Sequence, residues 1–190
     1  MLIRDAAIGD LARIVEIYNS AIPGRMATAD LEPVTVDSRQ QWYDEHSANV
    51  RPLWVVEDEA KIMGWLSLQS FYGRPAYHAT AEVSVYVAPE GQRKGLGRCL
   101  LSRAVERASQ LGIKTMLAFI FGHNEPSLRL FRAFDFETWA RLSRVAELDG
   151  IERDLLILAF ASGERGAGTS ERTPRRMRST MRRAGQHEDA

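Results

Sequence analysis

Apolar and polar positions along this chain change period several times, and each change marks an element. Leu2-Ile3-Arg4 makes a short strand. Gly9-Asp10 then starts a helix in which Leu11, Ile14, Val15, Tyr18 and Ala21 recur at helical spacing to about Ile22, where Pro23-Gly24 ends it. Residues 25–33 show no clean period and read as a loop of functional length. Asp37 or Ser38 caps a second helix carrying Trp42 and Tyr43. Trp54-Val55-Val56 and the run from Ile62 to Ser70 pair as a hairpin across the polar residues from Glu57 to Lys61.

The best-patterned stretch runs from Thr80 to Leu111. Val83, Val85 and Val87 alternate with Glu82, Ser84 and Tyr86, the period of a strand, which Pro89 stops because it has no N–H for a ladder. After Gln92-Arg93-Lys94-Gly95-Leu96-Gly97, the residues Leu96, Leu100, Leu101, Ala104, Val105, Ala108 and Leu111 fall on one helical face. A glycine-bearing loop that opens a helix aims several unpaired backbone N–H groups at one point. With the positive end of the helix dipole this makes an anion site suited to a pyrophosphate. Gly95 and Gly97 are expected to let the backbone approach the ligand where a Cβ would intrude, and Arg93 and Lys94 to add charge.

Downstream, Lys114 opens a mostly apolar strand from Thr115 to Phe121, which should be buried. Asn124 caps a short helix bearing Leu128, Phe131 and Phe134, with Pro126 tolerated in its first turn. Phe136 to Ala146 and Arg153 to Phe160 are two final strands turned about Asp149-Gly150. The pattern then stops. Residues 162–190 contain no aromatic residue and no aliphatic run, and their seven arginines against four acids give a net +3. Such a segment buries too little to offset its ordering entropy, so a domain over residues 1–161 and a disordered basic tail over 162–190 are expected. Arg175-Arg176 and Arg182-Arg183 can touch nucleic acid, but a solvated extension is the plainer reading.

Composition narrows the classes. With 190 residues, 45% of them hydrophobic, the chain can bury one substantial core. A formal net charge of zero implies no strong attraction to nucleic acid or to an anionic membrane. The single cysteine, Cys99, excludes an internal disulfide framework and fits a reducing cytosol. There is no apolar run of membrane-spanning length and no signal-peptide core in Met1 to Asp10, so a cytoplasmic protein without membrane or nucleic-acid partner is expected. His46 and His187 have no ligand spacing, His78 and His123 flank the central unit, and nothing looks like a metal site.

Two phosphate motifs can be set aside. The chain lacks G-x-x-x-x-G-K-[ST], and its Gly95-x-Gly97 is followed by Leu100 where the dinucleotide fingerprint needs a third glycine. What remains, Q-x-x-G-x-G between a valine-rich strand and an amphipathic helix, resembles the acetyl-CoA loop of the GCN5-related N-acetyltransferase superfamily. An ordinary strand-to-helix turn is the alternative on those six residues alone. The order of elements from Leu2 to Phe160 also matches that superfamily. Ile17-Tyr18-Asn19, Glu32-Pro33, Ala81-Glu82-Val83-Ser84-Val85-Tyr86-Val87 and Asn124-x-x-Ser127 look like its phosphinothricin N-acetyltransferase group.

The resemblance implies a single α/β domain whose mixed, mostly antiparallel central sheet is flanked by helices. It implies direct transfer of acetyl from acetyl-CoA, without a covalent enzyme intermediate, to the α-amino group of phosphinothricin, methionine sulfoximine or a related amino acid. It also implies a homodimer. Acetyl-CoA falls to Gln92, Arg93, Lys94, Gly95, Leu96 and Gly97, to Asn124 and Ser127, and to backbone N–H groups near Val85 and Val87 facing the acetyl carbonyl. Glu82 takes the place of the family's proposed base, a carboxylate that receives the ammonium proton directly or through water. Arg74 and Tyr77 fall at the substrate mouth, where a guanidinium fork suits a carboxylate or phosphinate.

Blander readings stand beside these. Glu82 can be a solvent-facing strand glutamate, Arg74 a solvated loop residue, Tyr77 a packing residue, and Asn124 and Ser127 simple helix caps. Rival functions are transfer to a polyamine, aminoglycoside or protein amine, and a CoA-binding module without catalysis. The chain departs from the family pattern at two places. Phe131 stands where many relatives carry a proton donor, leaving water or the substrate ammonium to serve the departing thiolate. Asp135 replaces a helix-ending glycine and can occupy a left-handed conformation, though less easily than glycine.

Overall fold

The computed structural model describes residues 1–162. Seven strands form one sheet in the order β1-β2-β3-β4-β5-β7-β6. They are β1 (Leu2–Asp5), β2 (Leu53–Asp58), β3 (Lys61–Ser70), β4 (Thr80–Val87), β5 (Thr115–Phe121), β6 (Glu137–Leu148) and β7 (Ile151–Ala161). Every pairing is antiparallel except β4 with β5. The expected mixed, mostly antiparallel sheet is therefore present.

Alternation along the strands sorts two cores onto the two faces of the sheet. On one face α1 (Leu11–Ala21) sets Ile14 and Ile17 against Leu53, Val55 and Trp65. The start of α1 is tied to the sheet by Arg4, which donates to Glu57 and, at 2.6 and 3.1 Å, to both oxygens of Asp10. On the other face α3 (Leu96–Arg107) buries Leu96, Leu100, Leu101 and Ala104 against Leu66, Leu68, Val83 and Met116. The centre of the sheet is thus covered on both sides, while β6 at its edge stays largely exposed. α4 (Glu125–Arg132) adds Leu128 and Phe131 to this second core.

Element types follow the sequence pattern, and boundaries differ where local bonding outweighs periodicity. The second helix is smaller than its pattern implies: a 3-10 turn at Asp37–Arg39 precedes a five-residue α2 (Gln40–Asp44). Neither expected residue caps it by its side chain; Thr35 Oγ1 accepts from the Ser38 N–H instead. α3 ends at Arg107, yet tighter turns keep Ala108 and Leu111 buried. The last two strands run longer than expected and meet at Asp149-Gly150, with φ of 51° and 78°. That geometry gives the primed turn suited to a two-residue hairpin. Asp135 does adopt the left-handed conformation, φ 61°, and the Phe136 N–H closes the end of α4 onto Phe131 O. The basic tail expected beyond Ser162 lies outside the described residues.

Candidate active site

β4 turns Ala81, Val83, Val85 and Val87 toward α3, and Glu82, Ser84 and Tyr86 toward α1 and α2. On the α1 side lies a cavity of about 170 Å³. Its walls are Ile14, Val15 and Tyr18 from α1, Arg39 and Trp42, and the facing positions of β3 and β4. Glu82 pairs in register with Gln69, and Ser84 with Ser67, so these four line one strip of the cavity floor. Glu82 is half-buried, and burial pushes its carboxyl above the ordinary carboxylate value. No opposing cation offsets that push.

A second cavity opens where the sheet separates. β4 and β5 pair only from Thr80–Thr115 to Glu82–Leu117. Beyond that point Val83 to Tyr86 and Ala118 to Phe121 form the two lips of a cleft of about 450 Å³. The β5-facing edge of β4 there meets the cleft instead of a strand, so its backbone groups have no ladder partner on that side. Residues 26–29 roof the cleft, and Asn124, Ser127 and Phe131 close its α4 side. Glu82, Ser84 and Tyr86 border both cavities. A carboxylate of raised pKa therefore stands at the junction of a small aromatic pocket and a long cleft.

The glycine loop follows the end of β4. Arg93 and Gly95 both have left-handed φ, 61° and 82°, and no side chain caps the N–H groups at the start of α3. Curling the backbone this way turns successive N–H groups to one side, the geometry of an anion nest. Gln92, Arg93 and Lys94 are exposed beside it. At Gly97 the reason for glycine differs from the one expected. A Cβ there would point inward, 3.3 Å from Leu130 Cδ2 on α4 and 3.8 Å from Val85 and Val87, so the missing side chain makes room for α3 to pack against α4. Gly97→Val should accordingly cost about 1–3 kcal/mol of stability through overpacking. Urea denaturation measures this, and an unchanged midpoint would show that α3 has room to spare.

The remaining sequence candidates divide. Asn124 is 6% exposed; its Oδ1 accepts from the Ser127 N–H, and its Nδ2 donates to Met26 O at 2.8 Å. It thus caps α4 and pins the roof of the cleft, with Ser127 alongside in the lining. Arg74 and Tyr77 lie in the β3–β4 connection, on and beside a 3-10 turn at Pro75–Tyr77. The connection leaves the sheet at Ser70–Ala81, one pair beyond Gln69–Glu82, but both side chains are exposed and line neither cavity. His78 is held by Pro75 O and His123 by Arg25 O, and neither lines a cavity that Glu82 lines.

The sequence reading missed a polar cluster. The Tyr18 hydroxyl lies 2.5 Å from Thr28 Oγ1 and donates to Asp30 Oδ2 at 2.6 Å. Arg39 donates to the same Asp30 oxygen, and its guanidinium sits 4.7 Å from the Tyr18 ring centre. Burial first, then Asp30, pushes the Tyr18 phenol up. Trp65 stacks on Tyr86 at 4.6 Å and donates its indole N–H to Ile14 O. One signal was available: Ser67 is a lone polar residue inside the apolar run from Ile62 to Leu68.

Comparison with known proteins adds an independent line. A model of the acetyltransferase (GNAT) family matches residues 11–136. Over 159 residues the chain is 48% identical to YwnH of Bacillus subtilis (strain 168), provisionally named a phosphinothricin acetyltransferase, spanning 83% of this chain and 97% of YwnH. Over 167 residues it is 34% identical to the L-methionine sulfoximine/L-methionine sulfone acetyltransferase of Salmonella typhimurium (strain LT2), spanning 88% and 98%. Among solved structures, a GNAT superfamily phosphinothricin acetyltransferase from Sinorhizobium meliloti, in complex with AcCoA, matches with a TM-score of 0.81. Its identity is 31%, over 91% of this chain and 95% of that one.

Proposed function

Because the chain belongs to the GNAT acetyltransferase family, we propose that it moves acetyl from acetyl-CoA to the α-amino group of a small amino acid of the phosphinothricin or methionine sulfoximine type. The observation that carries this reading is Glu82, a half-buried carboxylate of raised pKa where the two cavities meet. The cleft between β4 and β5 and the uncapped start of α3 fit a long ligand with a pyrophosphate. In that role acetyl-CoA supplies an activated thioester. Gln92 to Gly97 hold its phosphates, and Asn124 and Ser127 border its arm. Backbone N–H groups on the free edge of β4 near Val85 and Val87 receive the charge that builds on the acetyl carbonyl oxygen.

Glu82 then takes the proton that the attacking amine must lose, directly or through water. Phe131 borders the cleft and has no proton to give. The thiolate therefore leaves without a phenol behind it, which its low proton affinity allows. Arg74 and Tyr77, at the same end of the strands as Glu82, guide the acid group of an arriving amino acid. Residues 1–161 make up the acetyltransferase domain in this reading. The enzyme is a cytoplasmic homodimer, with exposed Trp139, Val145 and Ile151 on the β6–β7 hairpin offering apolar surface to a second copy.

Steady-state turnover of acetyl-CoA against a panel of amines tests the proposal. L-phosphinothricin, L-methionine sulfoximine and L-methionine sulfone should be acetylated with higher kcat/KM than spermidine, an aminoglycoside or a lysine peptide. Preference for any of the latter would overturn it.

A further inference from the structure

We propose that Ser67 and Arg39 select the acceptor's side chain, favouring one that ends in a tetrahedral centre bearing hydrogen-bond-accepting oxygens. The inference rests on the amino-acid acetyltransferase reading and deepens it. Ser67 is 1% exposed, yet its Oγ has no hydrogen-bond partner among the described residues. It borders the 170 Å³ cavity from the middle of an otherwise apolar strand. A buried hydroxyl without a partner is destabilising, a penalty that a guest accepting its hydrogen bond removes.

The second donor comes from the opposite wall. Arg39 makes one hydrogen bond, to Asp30, and its guanidinium is steadied over the rings of Tyr18 at 4.7 Å and Trp42 at 5.9 Å. A guanidinium has five N–H donors, so donors remain for the cavity that Arg39 lines. Ile14, Val15, Trp42 and Trp65 provide apolar walls for methylene and methyl groups. A cavity near 150 Å³ holds a benzene-sized guest, so 170 Å³ suits a side chain of similar bulk.

Spacing agrees with this placement. The Ser67–Ser84 pair lies two residues along the strands from Gln69–Glu82, a separation of about 7 Å. In L-methionine sulfone five bonds separate the α-nitrogen from a sulfone oxygen, roughly 6 Å when extended. An amine at Glu82 thus brings the oxygenated sulfur to the level of Ser67, in the cavity that Arg39 also lines. A sulfone, sulfoximine or phosphinate presents acceptors to both donors; a thioether presents none of comparable strength. Asp30 is then a positioning residue, acting through Arg39.

The test compares L-methionine sulfone with L-methionine, which has the same carbon skeleton, in the full chain with acetyl-CoA. Wild type should favour the sulfone. Ser67→Ala should lower kcat/KM for the sulfone roughly 10–100-fold, mainly through KM, and that loss should exceed the loss for L-methionine at least tenfold. Its melting temperature should be unchanged or higher, since the unpaired hydroxyl is gone. Arg39→Gln should add a larger loss for L-phosphinothricin, whose phosphinate is charged. Equal losses for sulfone and thioether in both variants would make Ser67 and Arg39 structural and overturn the inference. Wild type that acetylates L-methionine as well as the sulfone would also overturn it, while the amino-acid reading stands. Wild type that acetylates other amines but no amino acid would overturn both.

Discussion

Replacing Glu82 with glutamine is expected to lower kcat by roughly 10²–10⁴-fold while leaving the affinity for acetyl-CoA close to wild type. The amide keeps the size and shape of the side chain at the cavity junction but cannot accept the ammonium proton. Two further readouts separate this cause from a general disturbance. In wild type, activity should fall as acid protonates Glu82 and the amine, and the raised pKa of Glu82 moves that fall toward neutrality. In Glu82→Gln, part of the loss should return as pH approaches the pKa of the amine, which then arrives deprotonated.

Stability should move the other way. The folded protein holds the Glu82 proton more tightly than the unfolded chain does, so its contribution to stability is present below the unfolded pKa. That contribution is lost as pH rises through the raised folded pKa. Near neutral pH the wild type carries the burden of a half-buried charge that glutamine lacks. Glu82→Gln should therefore melt at the same temperature or higher, the pattern of a residue kept for chemistry at some expense to stability. A glutamine variant with full activity across pH would remove Glu82 from the reaction. One that is inactive and several degrees less stable would make Glu82 structural.

The second large effect is expected at Trp65. It is 3% exposed, stacks on Tyr86, meets Trp42 edge-on and bonds α1 through Ile14 O. Trp65→Ala should cost about 3–5 kcal/mol, out of a total of about 5–15 kcal/mol for a typical domain. For a protein of this size that is a fall of roughly 6–20 °C in melting temperature. The loss is local in kind, because Trp65 belongs to the α1 core and the α3 core is separate. KM for the amine acceptor should therefore rise well before acetyl-CoA affinity suffers. Trp65→Phe, which keeps most of the ring area, should retain most of both. A cost below about 1 kcal/mol in Trp65→Ala would show that the aromatic cluster is loosely packed, against the geometry described.

The sheet and its helices were legible because each is written in a local period. Val83, Val85 and Val87 announced the strand, Leu96 to Ala104 the helix, and Asp149-Gly150 the last turn. Glu82 could be read the same way, as an acid on the polar phase of a central strand. Arg39 and Asp30 could not, and Ser67 showed only as a lone polar residue in an apolar run. They come from segments far apart in sequence, and only packing against the β3–β4 hairpin brings Arg39 and Ser67 to one cavity, with Asp30 held behind Arg39. Gly97 shows a subtler limit. A glycine at the start of a helix has the same signature whether a ligand or Leu130 occupies the space beyond it. Arg74 and Tyr77 were placed at the substrate mouth by the family resemblance; they stand in the β3–β4 connection, with exposed side chains that line neither cavity.

The separation of β4 from β5 has a consequence beyond chemistry. Only three residue pairs, Thr80–Thr115 to Glu82–Leu117, join the ladder β1 to β4 with the ladder β5-β7-β6. Each ladder is otherwise antiparallel throughout, apart from bulges in β2–β3 and β6–β7, and the join between them is a seam. α3 and α4 brace it on one face, and the 26–29 roof, held by Asn124 and by the Tyr86 hydroxyl on Ala27 O, straps its open end. In mechanical terms the molecule is two plates on a short hinge. A ligand that touches both lips would bridge the two ladders where the strands do not, so it should tie them together as well as fill a site.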